Sequence, residues 1–276
     1  MKTRTISIRT NGTKVSEEAK HIVIEKFHEN GFNVKENTID GCELLVCIGG
    51  DGALLSAVHT YNFPEIPIVG VNTGHLGFFQ ELSPEDPDEL DQFIKEYKDG
   101  RFRLQPLHTV QAVVTLQDGT KQIHRSLNEI VIRGLHSHSV HLDISIGNSP
   151  IEKFSGDGIL VATSAGSTAY NYSLGGSIID PRIKLLQVTP IAPMNTKAYR
   201  SFTSSLVLPA ELSLGVLPED SESHKNNRLV LLNDGVQNIY MNVKEIKVEF
   251  SESVINLVRF EAYDFWTKVK AKFLQD

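Results

Sequence analysis

The chain has 276 residues, 40% of them apolar and 22% charged, which suits a soluble globular protein of two domains or one large one. Its formal net charge of -7, from 34 acidic and 27 basic residues, argues against a general nucleic-acid-binding surface. The two cysteines, Cys42 and Cys47, are too far apart for a Cys-x-x-Cys motif and point to a reducing compartment without a disulfide framework. Lys2 and Arg4 are not followed by an apolar signal-peptide core, and no apolar run nears the roughly 18 residues of a membrane span. The expected setting is therefore the cytoplasm, with no membrane partner.

In chain order, Thr5–Arg9 predicts a strand. Ser16 then caps a helix whose inner face carries Ala19, Ile22, Val23 and Phe27, with Gly31 as its stop. Glu43–Ile48 predicts a buried strand, Ala53–Tyr61 a helix and Ile66–Val71 another strand. Asp86-Pro87 opens a helix to about Lys98, ended by Gly100. This alternation predicts an α/β domain over 1–103 with a mostly parallel sheet.

Past Arg103 the pattern becomes all-β. Val110–Leu116 and Gln122–His124 flank an Asp118-Gly119 hairpin turn. Further strands are predicted at Glu129–Arg133, Val140–Ile146, Ile159–Ala162, Ser205–Leu208, Leu229–Leu232, Ile239–Val243 and Ile246–Phe250. Asn233-Asp234-Gly235 reads as a second hairpin turn, and Ser167–Leu174 as one helix. A β-sandwich over 104–250 is expected, followed by a helical tail within 251–276 that packs back on the first domain through Phe265, Trp266, Val269 and Phe273.

The apolar run Leu44–Ile48 stops at Gly49-Gly50-Asp51-Gly52. The C-terminal end of such a strand is where open α/β sheets place ligands, and glycines there let a phosphate approach the main chain. An aspartate in that place repels a phosphate at rest. It makes chemical sense as a base, or as a magnesium-side partner, acting on a hydroxyl beside a phosphate. The competing reading is a tight turn with a helix-capping aspartate. Lying between glycines, Asp51 is expected to reach a ligand without serving the packing. Asn128-Glu129 opens the apolar strand Ile130-Val131-Ile132, where an amide and a carboxyl can grip ribose hydroxyls or an adenine edge. Thr168-Ala169-Tyr170 follows Gly166-Ser167 as a helix start with free amides.

Gly49-Gly50-Asp51-Gly52, Asn72-Thr73-Gly74-His75-Leu76-Gly77-Phe78, Asn128-Glu129, Gly156-Asp157-Gly158 and Gly166-Ser167-Thr168-Ala169-Tyr170, in this order, resemble the NAD kinase family. The first motif alone also occurs in diacylglycerol kinases and phosphofructokinases. The resemblance implies an N-terminal α/β domain, a C-terminal β-sandwich and transfer from ATP or polyphosphate, with Mg2+, to the adenosine 2′-hydroxyl of NAD. It implies Asp51 as general base. It implies substrate contacts from Gly49, Gly50, Gly52, His75, Phe78, Asn128, Glu129, Asp157, Ala165, Thr168, Ala169, Tyr170, Asn171, Tyr172, Ser173 and Ala192. Asp157 and Tyr170 match positions that serve a neighbouring subunit, so a homodimer or homotetramer is implied.

Two positions depart from the family pattern. Ser164 stands where relatives often have proline, and Ser155 where they often have arginine, with Lys153 as a substitute charge for a 2′-phosphate. His136, His138 and His141 suggest a metal cluster, against which stands a solvated strand surface carrying the first two on one face. Gly166-Ser167-Thr168-Ala169 lacks a Gly-x-Ser-x-Gly elbow, which disfavours a serine hydrolase. A lipid or sugar kinase, and a dinucleotide-binding regulator without transfer activity, remain as alternatives.

Overall fold

A computed structural model of the chain describes residues 4–83, 87–219, 228–260 and 263–274. It divides into a first unit of 1–106 with 254–276 and a second unit of 107–253.

In the first unit, β1 (Thr5–Thr10) leads into α1 (Lys14–Glu29), β2 (Asn33–Glu36), β3 (Leu44–Ile48), α2 (Asp51–Thr60), β4 (Ile68–Val71), β5 (Gln80–Leu82) and α3 (Pro87–Lys98). The strands pair in parallel in the order β2-β1-β3-β4-β5. All five residues of β3 are buried, as expected of a strand with helices on both faces. Ile6, Ile8, Leu44, Val46 and Ile48 pack with Val23 and Phe27 of α1 and Phe93 of α3. The α1 cap is Thr13 rather than Ser16: the Thr13 hydroxyl accepts from the Ser16 amide. Ser16 lies in the first turn, buried, with its hydroxyl on that of Thr73 at 2.7 Å. Ile22 is exposed, because Ala19, Val23 and Phe27 already fill the inward stripe. The expected opening of α3 at Asp86 lies outside the described residues.

The second unit is a two-sheet sandwich. Its strands are β6 (Arg103–Leu116, from Leu107 onward), β7 (Lys121–Ser126), β8 (Glu129–Gly134), β9 (Val140–Ile146), β10 (Ser149–Gly156) and β11 (Gly158–Thr163). A one-turn α4 (Tyr170–Ser173) precedes β12 (Leu185–Ile191), β13 (Leu206–Pro209), β14 (Leu214–Pro218), β15 (Leu229–Asn233), β16 (Val236–Tyr240) and β17 (Val243–Arg259, as far as Ser253). One sheet runs β13-β12-β11-β8-β15-β16 and the other contains β10-β9-β14-β17, with β6 on β17 and β7 on β6. Val110, Ile144, Phe154, Val216 and Val248 face Ile130, Ile159, Val188 and Leu231 across the core.

Several expected boundaries move. The strand expected over Ile239–Val243 straddles the turn at Met241-Asn242, where Asn242 has φ 57°. The expected Ser167–Leu174 helix is two short pieces, a 3-10 turn at Ala165–Thr168 and α4, broken at Ala169 (φ -97°, ψ -133°). The tail is strand, not helix, to Arg259, where alternating buried residues such as Ile255 and Leu257 continue β17. Among the described residues of the tail, α5 (Phe265–Phe273), capped by Asp264, is the helical part. Residues 261 and 262 of the expected helical tail lie outside the described residues, and Trp266 is exposed rather than part of the apolar stripe. His136 sits in a 3-10 turn (Leu135–Ser137) with φ 54° and His138 caps that turn, so these two lie on a turn and not on one strand face, while the His141 ring lies against Tyr199 at 4.8 Å.

Candidate functional site

In the first unit the site starts at the end of β3. Gly49 adopts φ 146°, and a Cβ there would come within 2.5 Å of the Ala53 Cβ, so glycine alone allows this turn into α2. Gly50 is the α2 N-cap, and a Cβ at Gly50 or Gly52 would meet nothing within 4 Å, leaving open space beside the main chain. Asp51 is the first helical residue, where the helix dipole favours an anion. Its Oδ2 accepts from the Phe78 amide and its Oδ1 from the Phe79 amide, each at 3.0 Å. Asp51 therefore does serve the packing, against the sequence reading, because the loop after β4 folds back over α2. A Cβ at Gly77 would lie 2.4 Å from Asp51 Oδ1 and 2.0 Å from Gln80 Oε1, so that close approach needs glycine.

The same loop is held from its other side. Arg259, 1% exposed, donates to the Phe78 and Phe79 carbonyls at 2.9 and 3.2 Å, to Glu81 at 2.7 Å and to Gln105 at 2.8 Å. Lys268 of α5 donates to the Gln80 carbonyl, and burial, with Arg259 nearby, lowers its pKa to about 8. The Phe78 ring is buried between Phe265 and Phe273 at 5.8 Å from each, so its amide, and not its ring, faces Asp51. Lys272 brings its Nζ to 3.9 Å from Asp51 Oδ2. His75 is exposed on the loop. Buried Gln80 Oε1 has no hydrogen-bond partner, and with the Asp51 carboxylate it forms an oxygen donor set of the kind Mg2+ accepts together with phosphates and waters. Among the described residues no three His, Cys, Asp or Glu side chains are grouped to hold a metal ion.

In the second unit, Asn128 and Glu129 are buried at the start of β8. Asp234, in the β15–β16 turn with φ 48°, positions them: its carboxylate accepts from the amides of Leu127 at 2.7 Å, Asn128 at 2.8 Å and Glu129 at 3.3 Å. Asn128 Oδ1 and Glu129 Oε2 have no hydrogen-bond partner. Burial, then the Asp234 charge, pushes the Glu129 carboxyl up to about 8, so at neutral pH it is mainly protonated and offers an O–H donor. Buried polar atoms of this kind cost stability unless a ligand completes them.

The adjoining segment is tied down by side chains. Thr163 donates to the Leu127 carbonyl at 2.7 Å and accepts from the Gly166 amide at 3.1 Å. A Cβ at Gly166 would stand 2.1 Å from the Asn128 carbonyl, so this glycine lets the 3-10 turn touch β8. Ser164 donates to the Ile183 carbonyl. Asn171 is fully buried and spends its amide on Gln187 (3.1 Å) and Thr189 (2.7 Å), shaping the turn from inside. Ala165, Thr168 and Ala169 are half-buried, whereas Tyr170, Tyr172, Ser173 and Asp157 are exposed. Ala192 is exposed with φ 44°, and a Cβ at Gly156 would lie 2.9 Å from its carbonyl. Ser155 is buried, its backbone paired with Ser201 and Met194. Lys153 is paired with Glu219 at 3.5 Å and Asp143 at 3.9 Å, so it is not a free charge waiting for a phosphate.

Asp234, Arg259 and Lys272 escaped the sequence reading. Asp234 read as a turn residue, and only its partners 105 to 107 positions away reveal its second role.

Residues 3–102 match the model of the ATP-NAD kinase N-terminal domain and residues 127–260 that of the ATP-NAD kinase C-terminal domain. The NAD kinase of Finegoldia magna is 37% identical over 270 residues, covering 98% of this chain and 97% of that protein. The NAD kinase of Streptococcus mutans is 34% identical over 276 residues, covering 98% and 95%. Among solved structures, a yeast NADH kinase complexed with NADH superposes with a TM-score of 0.85 at 22% identity, over 99% of this chain and 89% of that one. An NAD kinase from Archaeoglobus fulgidus in complex with ATP gives 0.72, also at 22% identity, over 98% and 99%. With an α/β unit carrying the glycine-flanked aspartate, a β-sandwich unit carrying the Asn128-Glu129 pair, and both domain models matched in order, the chain belongs to the NAD kinase family.

Proposed function

We propose that this protein transfers the terminal phosphoryl group of ATP or of inorganic polyphosphate to the 2′-hydroxyl of the adenosine ribose of NAD, forming NADP. The observation that carries the acceptor is the buried Asn128-Glu129 pair, whose Oδ1 and Oε2 await partners on a strand end fixed by Asp234. A ribose diol supplies such partners, since each hydroxyl both donates and accepts. Thr168, Ala169 and the main chain of 165–173 line the dinucleotide. Gly49, Gly50 and Gly52 leave room for the donor's phosphates.

Asp51 acts as general base. The Phe78 and Phe79 amides fix its carboxylate plane, and each oxygen keeps a lone pair for a ligand hydroxyl. The proton of the 2′-hydroxyl passes to Asp51 as that oxygen bonds to phosphorus and the bridging oxygen of the donor leaves with its electron pair. Asp51 and Gln80 are the residues that would hold Mg2+ beside the donor phosphates, where the ion supplies charge neutralisation. Both cysteines are free thiols, which fits the reducing cytoplasm as the site of action.

Purified protein with NAD, ATP and Mg2+ is expected to make NADP and to leave diacylglycerol and fructose 6-phosphate untouched. Turnover of either, with none of NAD, overturns the reading. Exposed Asp157 and Tyr170 are proposed to complete the pocket of a second copy. Sedimentation as a dimer or tetramer is expected, and a fully active monomer would refute it.

A further inference from the structure

Asp51 poses an electrostatic problem for the proposed reaction. A carboxylate beside open glycines must share its surroundings with a polyanionic donor, and two like charges about 4 Å apart repel by roughly 1 kcal/mol in water and several times more in a partly enclosed site. Of the protein's own groups, and apart from the Mg2+ that would accompany the donor, the α2 N-terminus and the two loop amides oppose only part of that charge.

The tail helix supplies a full positive charge at this point. Lys272 lies in the last turn of α5, and its Nζ stands 3.9 Å from Asp51 Oδ2. That distance exceeds a hydrogen bond, so the ammonium keeps its N–H donors for another acceptor. The same Nζ lies 5.0 Å from the centre of the Phe78 ring, a cation–π contact that holds the stem over the loop. Phe78 is in turn wedged by Phe265 and Phe273 of the same helix. The Lys272 side chain is 34% exposed, so its head reaches solvent, and Asp51 is its sole ion-pair partner among the described residues. Lys268, one turn earlier, is committed to the Gln80 carbonyl and leaves Lys272 as the α5 cation that points to Asp51.

We propose that Lys272 binds the phosphate chain of the donor beside Asp51, offsetting the aspartate's repulsion of that chain. The assignment rests on the reading that the donor's phosphates lie along Gly49–Gly52. It makes α5 part of the phosphoryl-transfer site as well as of the first unit's core. The ligand class is a polyphosphate: the triphosphate of a nucleotide, or an inorganic chain.

The test measures binding of MgATP, and separately of tripolyphosphate, by calorimetry with the full chain and no acceptor, so that it does not depend on turnover. Lys272→Met keeps the stem on Phe78 and removes the charge. Lys272→Arg keeps the charge. The expected result is a Kd for both ligands raised about 5- to 30-fold in Lys272→Met, as loss of one charge contact in a wet site predicts. Lys272→Arg stays within about threefold of the wild type, and NAD affinity and melting temperature are unchanged in both variants. An unchanged MgATP Kd in Lys272→Met overturns the assignment. So does a parallel fall in NAD affinity and melting temperature, which would mark Lys272 as a packing residue. Loss of MgATP affinity without loss for tripolyphosphate also overturns it, because that would place Lys272 on the nucleoside. Normal MgATP binding with no NADP formed by the wild type would instead count against the proposed acceptor.

Discussion

Asp51→Asn is expected to lower turnover by about a hundred- to ten-thousand-fold, the usual cost of losing a general base. The substitution preserves size but turns one oxygen into an NH2 group. Both carboxylate oxygens accept backbone amides, so that NH2 would face either the Phe78 or the Phe79 N–H. One buried donor loses its acceptor, at a cost of about 1–3 kcal/mol. For a protein of this size that lowers the melting temperature by several degrees, roughly 2–4 °C per kcal/mol. The expected outcome is thus a small stability loss with a large rate loss, and NAD affinity within a few-fold of the wild type. Steady-state kinetics, thermal melting and calorimetry on one preparation separate the three. Near-normal turnover would show that another group takes the proton. A rate loss matched by wholesale unfolding would reduce Asp51 to a loop fastener.

The second large effect is a pH dependence of stability that Glu129→Gln removes. Burial and Asp234 hold the Glu129 proton up to about pH 8 in the folded chain, against an ordinary value of 4.5. Below pH 4.5 both folded and unfolded chains are protonated and the group contributes nothing. Between about 4.5 and 8 the unfolded chain releases a proton that the folded chain retains, so stability falls as pH rises, and it levels off above 8. The shift corresponds to on the order of 4 kcal/mol across the window. Glutamine is neutral throughout. Thermal melts of the ligand-free proteins from pH 5 to 8 should show the wild type losing roughly ten degrees more than Glu129→Gln. Equal slopes would mean that Glu129 ionises normally in the fold.

What the sequence disclosed and concealed follows from the range of the interactions. β3 was legible because five consecutive apolar residues end at two glycines. The sandwich was legible through hairpin turns such as Asp118-Gly119. β10, β12 and β14 were not read as strands: Ser-Pro-Ile-Glu-Lys-Phe-Ser-Gly alternates weakly, Leu185–Ile191 contains Pro190, and Leu214–Pro218 contains a glycine and a proline. The broken Ala165–Ser173 segment looks helical because the break at Ala169 is imposed by buried ties of Ser167 and Asn171, not by local propensity. Asp51 and Asn128-Glu129 stood out by type and setting. The groups that orient them, Asp234 and the Phe78 and Phe79 amides, did not, since an amide donor has no sequence signature.

The first unit is discontinuous: its strands β1 to β5 come early, but Leu257, Val258, Arg259 and the whole of α5 join it from beyond residue 253. About 150 residues of the second unit must be translated between its two pieces, which at 5–20 residues per second is roughly seven to thirty seconds. Throughout that interval Phe78 lacks Phe265 and Phe273, and the loop that grips Asp51 lacks Arg259. A ribosome carrying this chain therefore displays the five early strands with the loop after β4 still uncovered by α5, and the second unit, whose 107–253 are contiguous, has the opportunity to mature first. Arg259 and α5, made after the second unit, close the loop that grips Asp51, so the site waits on side chains more than two hundred residues beyond its own aspartate.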